Sequence, residues 1–234
     1  MARKKIVFII VEGPSDDTAL GLLFNQFYQN KQVYIQILHR DITTENGVNS
    51  SNIISSVCNE VKAYAEANHL SNSHFHEIIH ITDTDGAFIN NKSVTEDDTI
   101  ANIYYSETEI RTPNKSNIEN RNQQKSVNLT KLSSCSKIWN IPYHIYYMSC
   151  NLDHVLYNKL NSSDEEKENY AFLFAKQYKD NISGFIAFIS QSDFSVSGSY
   201  SDTWKYIKED LHSLERHTNL GLCFLQEENG ENLS

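Results

Sequence analysis

The sequence contains little cysteine and little proline. Its four cysteines lie far apart in the 234 residues and form no C-x-x-C pair; they are Cys58, Cys135, Cys150 and Cys223. Such spacing argues against a zinc module and against the dense disulfide framework of small secreted domains, so we expect reduced thiols. With only three prolines, the chain has no long proline-rich linker.

Long apolar runs are also missing. The N-terminal stretch MARKKIVFIIVEG begins with basic residues, but its apolar segment, residues 6–11, ends at Glu12. This segment is too short for the core of a signal peptide or for a membrane span. We therefore expect a cytoplasmic protein with no membrane partner. No G-x-x-x-x-G-K-[ST] motif occurs, which argues against an ATPase.

Basic residues are outnumbered by acidic ones, 20 to 30, and the formal net charge is −10. A simple nucleic-acid coat protein would instead be basic. Residues 111–137 depart from this balance, because they hold one acid, Glu119, and six bases: Arg111, Lys115, Arg121, Lys125, Lys131 and Lys137. Two interpretations stay open for this stretch, a solvated helix and loop or an arm that contacts phosphates beside an acidic site.

The hydrophobic pattern predicts an α/β fold. Hydrophobic residues make up 39% of the chain, enough for the core of one domain. Apolar runs predict strands at 6–11, 33–38, 78–82 and 141–148, and helical spacing predicts helices at 16–29 and 52–67. This alternation favours a mostly parallel sheet flanked by helices. Further helices are expected at 156–160, 170–178, 185–189 and 203–214.

These elements suggest an α/β domain over residues 1–150 and a mainly helical extension over 151–234 that packs on it. A polar, basic insertion at about 90–137 separates the third and fourth predicted strands. In sheets of this kind the functional crevice lies at the carboxyl ends of the strands. Residues that directly follow those ends are therefore the first candidates for a site.

Two predicted strands end in acid. The first is followed by Glu12-Gly13-Pro14-Ser15-Asp16, and the third by Asp83-Thr84-Asp85-Gly86. Helix capping explains Ser15 and Asp16, but it does not explain a carboxylate at the end of a buried strand. Clustered carboxylates repel one another unless a cation lies between them, and hard oxygen ligands suit Mg²⁺ or Mn²⁺. We predict a divalent-metal site that includes Glu12, Asp16, Asp83 and Asp85.

The stretches VEGPSDDTAL and ITDTDGAF together resemble the Toprim domain, which occurs in topoisomerases, bacterial primases, OLD-type nucleases, a ribosomal-RNA maturase and a recombination mediator. The resemblance covers about residues 4–150 and implies a Rossmann-like Toprim fold. It implies that Glu12 acts as a general acid/base or metal ligand, and that Asp83 and Asp85 bind Mg²⁺. In OLD-type proteins an acid follows four residues after the glutamate, and Asp16 stands at that place.

A third stretch, MSCNLDHVLYN, follows the fourth predicted strand and resembles the Ser-Asn-x-Glu element of OLD-like phage-defence proteins. The resemblance implies phosphate contacts by Ser149 and Asn151 and a metal ligand at Asp153, which replaces the longer glutamate. His154 is a candidate substrate contact. An alternative is that Asn151 only caps a helix.

Among Toprim roles, the length and the cysteine spacing argue against a topoisomerase, a zinc-containing primase and the recombination mediator. The resemblance then implies a Mg²⁺- or Mn²⁺-dependent nuclease acting on DNA or RNA, an effector in bacterial defence against phage. Candidate protein partners are a separate ATPase sensor subunit and a second copy of the chain. The alternative is a non-catalytic Toprim module that binds nucleic acid or a partner ATPase.

Overall fold

The computed structural model describes residues 4–29, 31 and 33–229 of the chain. Within them the strands are β1 (Lys5–Val11), β2 (Val33–His39), β3 (Phe75–Asp83), β4 (Val94–Glu96), β5 (Tyr104–Tyr105), β6 (Ile110–Thr112), β7 (Lys137–Ile138) and β8 (Ile141–Met148). The helices are α1 (Pro14–Tyr28), α2 (Ile53–Ala67), α3 (Lys115–Ser133), α4 (Leu152–Tyr157), α5 (Asp164–Tyr178), α6 (Ile182–Gln191), α7 (Tyr200–Tyr206) and α8 (Gly221–Asn229).

The main sheet has the strand order β2-β1-β3-β8-β7. Strands β2, β1, β3 and β8 are parallel, and only β7 runs antiparallel, in a hairpin with β8. A parallel sheet is normally covered on both faces, and this one is. The predicted α/β class with a mostly parallel sheet flanked by helices is therefore confirmed.

Strand β1 shows how the two faces are built. Val7, Ile9 and Val11 point into one apolar core, which α1, α5, α6 and α8 cover. Ile6, Phe8 and Ile10 point into the other core, which α2, α3 and α7 cover. All six side chains are buried, which explains why the run is apolar without alternation. The strand cannot shift its register without moving apolar groups, so the position of its carboxyl end is fixed.

The predicted elements of the first half agree with the structure to within a few residues. The insertion contains more order than predicted: a small sheet of order β4-β6-β5, followed by the long helix α3. The helix predicted at 203–214 is wrong in its extent, since α7 ends at Tyr206. Asp210 has a φ of 44°, in the left-handed region, which an α-helix cannot include.

The C-terminal extension is mainly helical, as expected, and shares a core with the sheet. The proposed boundary at residue 150 stays a prediction. None of the helices in the described part of the chain combines the length and the apolar character needed to cross a lipid bilayer.

His80 is a polar residue in the middle of β3 and has no exposed surface. Its Nδ1 lies 2.9 Å from the hydroxyl oxygen of Tyr143 on the neighbouring strand β8. Burial is the main cause that lowers the pKa of His80 to about 4; Asp41 opposes the change and Lys125 adds to it. The imidazole is therefore neutral in the folded protein at pH 7.

We expect His80→Asn to reduce the acid sensitivity of the fold. The unfolded chain takes up a proton on His80 near pH 6.5, whereas the folded chain does so near pH 4. The stability that this difference provides is complete above about pH 6.5 and falls, by roughly 3 kcal/mol, as the pH drops to 4. Urea unfolding at pH 7, 5.5 and 4.5 measures it. The exposed His69, replaced by Asn, is the control, and parallel decline in wild type and His80→Asn would contradict the account.

Candidate functional site

The two acidic motifs meet where the sheet changes winding direction. Strand β1 lies between β2 and β3, so the chain leaves β1 towards one side and later returns on the other. A crevice forms at the carboxyl edge of such a switch point. Glu12 follows β1 directly, and Asp83 is the last residue of β3. The carboxylate oxygen Glu12 Oε1 accepts hydrogen bonds from the Thr82 hydroxyl at 2.8 Å and the Asp83 N–H at 3.0 Å.

Asp16 lies on the first turn of α1 and turns back towards the strand. Its Oδ2 accepts hydrogen bonds from the backbone N–H groups of Glu12, at 3.1 Å, and Gly13, at 3.0 Å. Pro14 begins the helix, where a missing N–H costs nothing. Burial raises the pKa of Asp16, although these two hydrogen bonds oppose the change. The predicted approach of Asp16 to Glu12 is present, and one of its oxygens holds the turn.

Helix α3 places a lysine between the acids. Lys125 Nζ lies 3.1 Å from Glu12 Oε1 and also contacts Asp85 Oδ2, and the side chain has no exposed surface. Burial alone would lower the pKa of Lys125, but the carboxylates of Asp85 and Glu12 outweigh it and raise the pKa well above its usual value. The ammonium is therefore charged and acts as the counter-ion of the acidic loops.

Arg121, one turn before Lys125, holds the backbone of the second acidic loop. Its guanidinium donates to the Asp85 carbonyl at 2.8 Å and to the Tyr105 hydroxyl at 2.6 Å. Asp85 has a φ of 50°, in the left-handed region, and this conformation turns the loop towards α3. The side-chain amide of Asn122 donates to the Gly86 carbonyl at 3.3 Å. Polar groups on α3 thus add to the apolar contacts of Ile118, Leu129 and Leu132 in holding the helix in place.

The C-terminal segment between α7 and α8, residues 207–220, holds two loops of the site together. The buried carbonyl of Ser213 accepts three hydrogen bonds, from Thr84 Oγ1 at 2.7 Å, Cys150 N at 3.0 Å and Gly86 N at 3.1 Å. These donors belong to the loops that follow β3 and β8. One carbonyl therefore fixes both loops relative to each other, because any movement would leave buried donors without acceptors.

Asp83 connects the site with α4. Its Oδ1 accepts a hydrogen bond from the N–H of Leu152, the first residue of that helix, at 2.9 Å. Burial raises the pKa of Asp83 well above its usual value, and the nearby charges of Glu12, Asp16 and Asp85 raise it further. Burial likewise raises the pKa of Glu12 to about 8, although Lys125 lowers it. The site therefore holds more buried carboxylate than Lys125 neutralises.

The donor chemistry of this cluster fits a divalent cation. Glu12, Asp83 and Asp85 supply hard oxygen ligands. Burial raises the pKa of Glu12 and of Asp83, so a further positive charge nearby would stabilise their ionised forms. With the side chains as placed, no three carboxylate, imidazole or thiol groups of residues 4–29, 31 and 33–229 stand close enough together to hold an ion. Closing this set around a cation requires side-chain rotations, in which the oxygens of Glu12 and Asp83 that are not hydrogen-bonded turn towards the ion.

Asp153 lies in α4, buried, beside the first helix. Its Oδ2 has no hydrogen-bond partner among the described residues. Burial raises its pKa to about 6, with Lys167 opposing and Asp16 adding to the change. A buried carboxylate oxygen without a partner is unusual and fits a site that a cation or a water completes. The structure thus brings Asp153 near Asp16 and leaves its metal-ligand role a prediction.

The other residues of this third stretch have internal contacts. Ser149 is fully buried and its hydroxyl donates to the His212 carbonyl at 2.6 Å. Asn151 caps α4, since its Oδ1 accepts from His154 N at 2.9 Å. His154 is buried, with Nε2 3.5 Å from Glu107 Oε1. Because Ser149 is buried, it is not placed to contact a phosphate as expected. Asn151 makes the helix-capping contact of the alternative interpretation.

The basic stretch does not form one free arm. Lys125 is buried in the acidic site, and Arg121 is bonded to Asp85 and Tyr105, so neither lies on an open arm beside the site. Arg111 is paired with Asp97, and Lys115 lies 3.9 Å from Glu119. Lys131 is exposed. A phosphate contact stays a prediction for Arg111, Lys115 and Lys131.

Sequence reasoning missed the acid-pairing role of Lys125 and also Asp41, whose charge acts on Glu12, His80 and Lys125. A signal for α3 was present. Ile118, Asn122, Lys125, Leu129 and Leu132 recur at helical spacing, and all five are buried. Two of these positions are polar, which hides the stripe from a search for apolar residues.

Comparison with known proteins finds no relative: no family model, no curated protein and no solved structure matches the chain. The Toprim resemblance therefore depends on the sequence motifs alone.

We expect Gly86→Ala to destabilise the fold more than Gly47→Ala. Both glycines have positive φ, 68° and 83°, so alanine is strained at either position by about 1 kcal/mol. At Gly86 a Cβ would also lie 2.6 Å from Leu214 Cδ2, whereas at Gly47 it would meet nothing within 4 Å. The additional loss at Gly86 should be at least about 1 kcal/mol. Urea unfolding of both variants measures it, and equal losses would show that the loop after β3 does not depend on this contact.

Proposed function

We propose that the protein is a divalent-metal-dependent nuclease that hydrolyses phosphodiester bonds in DNA or RNA. The observation that carries the proposal is the pair of hydrogen bonds by which Thr82 and Asp83 hold Glu12 Oε1 at the switch point of the sheet. Two motifs that are separate in sequence thereby form one buried acidic centre. A Toprim fold, as the motifs suggest, would use the same groups.

Glu12, Asp83 and Asp85 would hold Mg²⁺ or Mn²⁺, with Asp16 and Asp153 beside them. A bound divalent ion would polarise the phosphodiester and lower the pKa of a water molecule. The chain itself supplies the orientation of these groups. Thr82 and the Asp83 N–H fix Glu12, the Leu152 N–H fixes Asp83, and Arg121 fixes the backbone of Asp85.

Glu12 is the candidate general acid/base. Without a bound ion, burial raises the pKa of Glu12 to about 8, so in that state the carboxyl group can gain and lose a proton near neutral pH. An ordinary surface glutamate, with a pKa near 4.3, would be permanently ionised there. Asp85 is better suited to carry charge than to transfer a proton, because it is paired with Lys125.

The setting proposed for this activity is the cytoplasm of a bacterial cell, where the chain would act as an effector against phage beside a separate ATPase sensor subunit or as a homodimer. The second candidate is a non-catalytic module that binds nucleic acid or the ATPase. The burial of Lys125 between Glu12 and Asp85 favours this alternative, because the lysine neutralises part of the negative charge of these acids without a metal ion.

We expect purified wild-type protein to cut DNA or RNA in Mn²⁺ or Mg²⁺ and to be inactive in EDTA. Glu12→Gln should retain the fold, because the amide oxygen can still accept from Thr82 and Asp83, but lose at least ~100-fold in rate. Labelled single- and double-stranded DNA and RNA serve as substrates. Full activity in a folded Glu12→Gln protein would contradict the proposed role of Glu12, and a folded wild type that cuts none of these substrates would support the binding module.

We also expect Mn²⁺ to raise the melting temperature of the metal-free protein. An ion that binds only the folded state stabilises it by about 2.7 kcal/mol at a concentration 100-fold above its Kd. Asp83→Asn should remove this gain, while Asp98→Asn, at an exposed acid outside the site, should leave it unchanged. A rise that persists in Asp83→Asn would place the ion elsewhere.

A further inference from the structure

The acidic site already contains one cation of its own. Lys125 Nζ bridges Glu12 Oε1, at 3.1 Å, and Asp85 Oδ2, and no part of the side chain is exposed. A carboxylate pair bridged in this way by a second metal ion is the arrangement of two-metal phosphodiesterases, in which the ions lie about 4 Å apart. Here an ammonium group occupies the position between the two carboxylates.

We infer that Lys125 takes the place of one metal ion, so that the site binds a single divalent cation. Lys125 is then a positioning residue, which orients Glu12 and Asp85 and neutralises charge that a second ion would otherwise neutralise. The inference rests on the proposed function, since it concerns the metal content of the proposed nuclease site.

The first argument is the coordination of Glu12. Its Oε1 already receives three donors, the Thr82 hydroxyl, the Asp83 N–H and the Lys125 ammonium. A carboxylate oxygen has about two lone-pair sites, so Oε1 has no capacity left for a metal. Within the described residues, Glu12 Oε2, Asp83 Oδ2 and Asp85 Oδ1 accept no hydrogen bond, and they are the oxygens of these three acids that are available to one ion.

The second argument is that α3 cannot easily withdraw the lysine. Before Lys125, Asn122 donates to the Gly86 carbonyl, and Gln124 donates to the carbonyls of Glu45 and Val48, both at 2.9 Å. After it, Asn128 donates to the Thr43 carbonyl at 2.9 Å. The helix is thus bonded on both sides of Lys125 to the loops that follow β2 and β3.

The third argument is the cost of displacement. A metal that replaced the ammonium would leave a buried lysine without a partner, and removing one partner of a buried ion pair is strongly destabilising. A second divalent ion would have to exceed that cost in binding free energy. A single ion at the remaining oxygens meets no such opposition.

The test is the number of Mn²⁺ ions that each chain binds. Calorimetric titration of the metal-free protein with Mn²⁺ measures this number, and electron paramagnetic resonance spectra are recorded after the Mn²⁺ has been added. Wild type should bind one ion per chain and give the spectrum of an isolated Mn²⁺. Lys125→Met removes the charge at similar length and should admit a second ion, seen as a stoichiometry of two and a spin-coupled spectrum. Lys125→Arg and Lys131→Met, the latter at an exposed lysine of the same helix, should keep one ion.

Lys125→Gln is measured in parallel, because methionine leaves the acids without any polar partner in the metal-free protein. Two ions in wild type would overturn the inference and leave the proposed nuclease intact. One ion in wild type and in both neutral variants would also overturn it, since Lys125 would then not occupy a metal position. No ion in any of these proteins would contradict the proposed metal-dependent function itself, and the inference with it.

Discussion

The contact between Lys125 and the carboxylates of Glu12 and Asp85 is the interaction on which the rest of the site depends. Burying acids at the end of a strand is costly unless a positive charge is buried with them. Without the lysine, the acids would have to be protonated, exposed or paired with another cation. The insertion that carries α3 is therefore part of the site.

Three separate parts of the chain hold these acids in place. The sheet sets the positions of Glu12 and Asp83, because β1 and β3 are neighbours with fixed register. Helix α3 supplies the cations Arg121 and Lys125 and polar contacts to the loops. The C-terminal segment supplies the Ser213 carbonyl, which joins the loops after β3 and β8. Each of these parts uses buried polar groups, so a change in one leaves partners in another unsatisfied.

Much of the fold could be predicted from the sequence, since unbroken apolar strands and amphipathic helices are local patterns, as in β1 and α2. The meeting of Glu12 with Asp83 followed from the rule that parallel strands end at one edge. The role of Lys125 did not follow, because a lysine on a polar helix usually faces solvent and only the tertiary structure shows the acids opposite it. The end of α7 could not be predicted either, because Ile207 and Leu211 continue the helical spacing of apolar residues although the chain forms turns there.

The central claim is that this acidic edge is a metal centre in which a lysine already occupies one cation position. The most direct measurement is X-ray diffraction from crystals grown with Mn²⁺, with anomalous differences recorded near the manganese absorption edge. The account predicts one anomalous peak, bordered by Glu12 and Asp83, with Lys125 Nζ still in contact with Asp85. A map with no peak at this edge, or with a peak in the place of the ammonium, would contradict it.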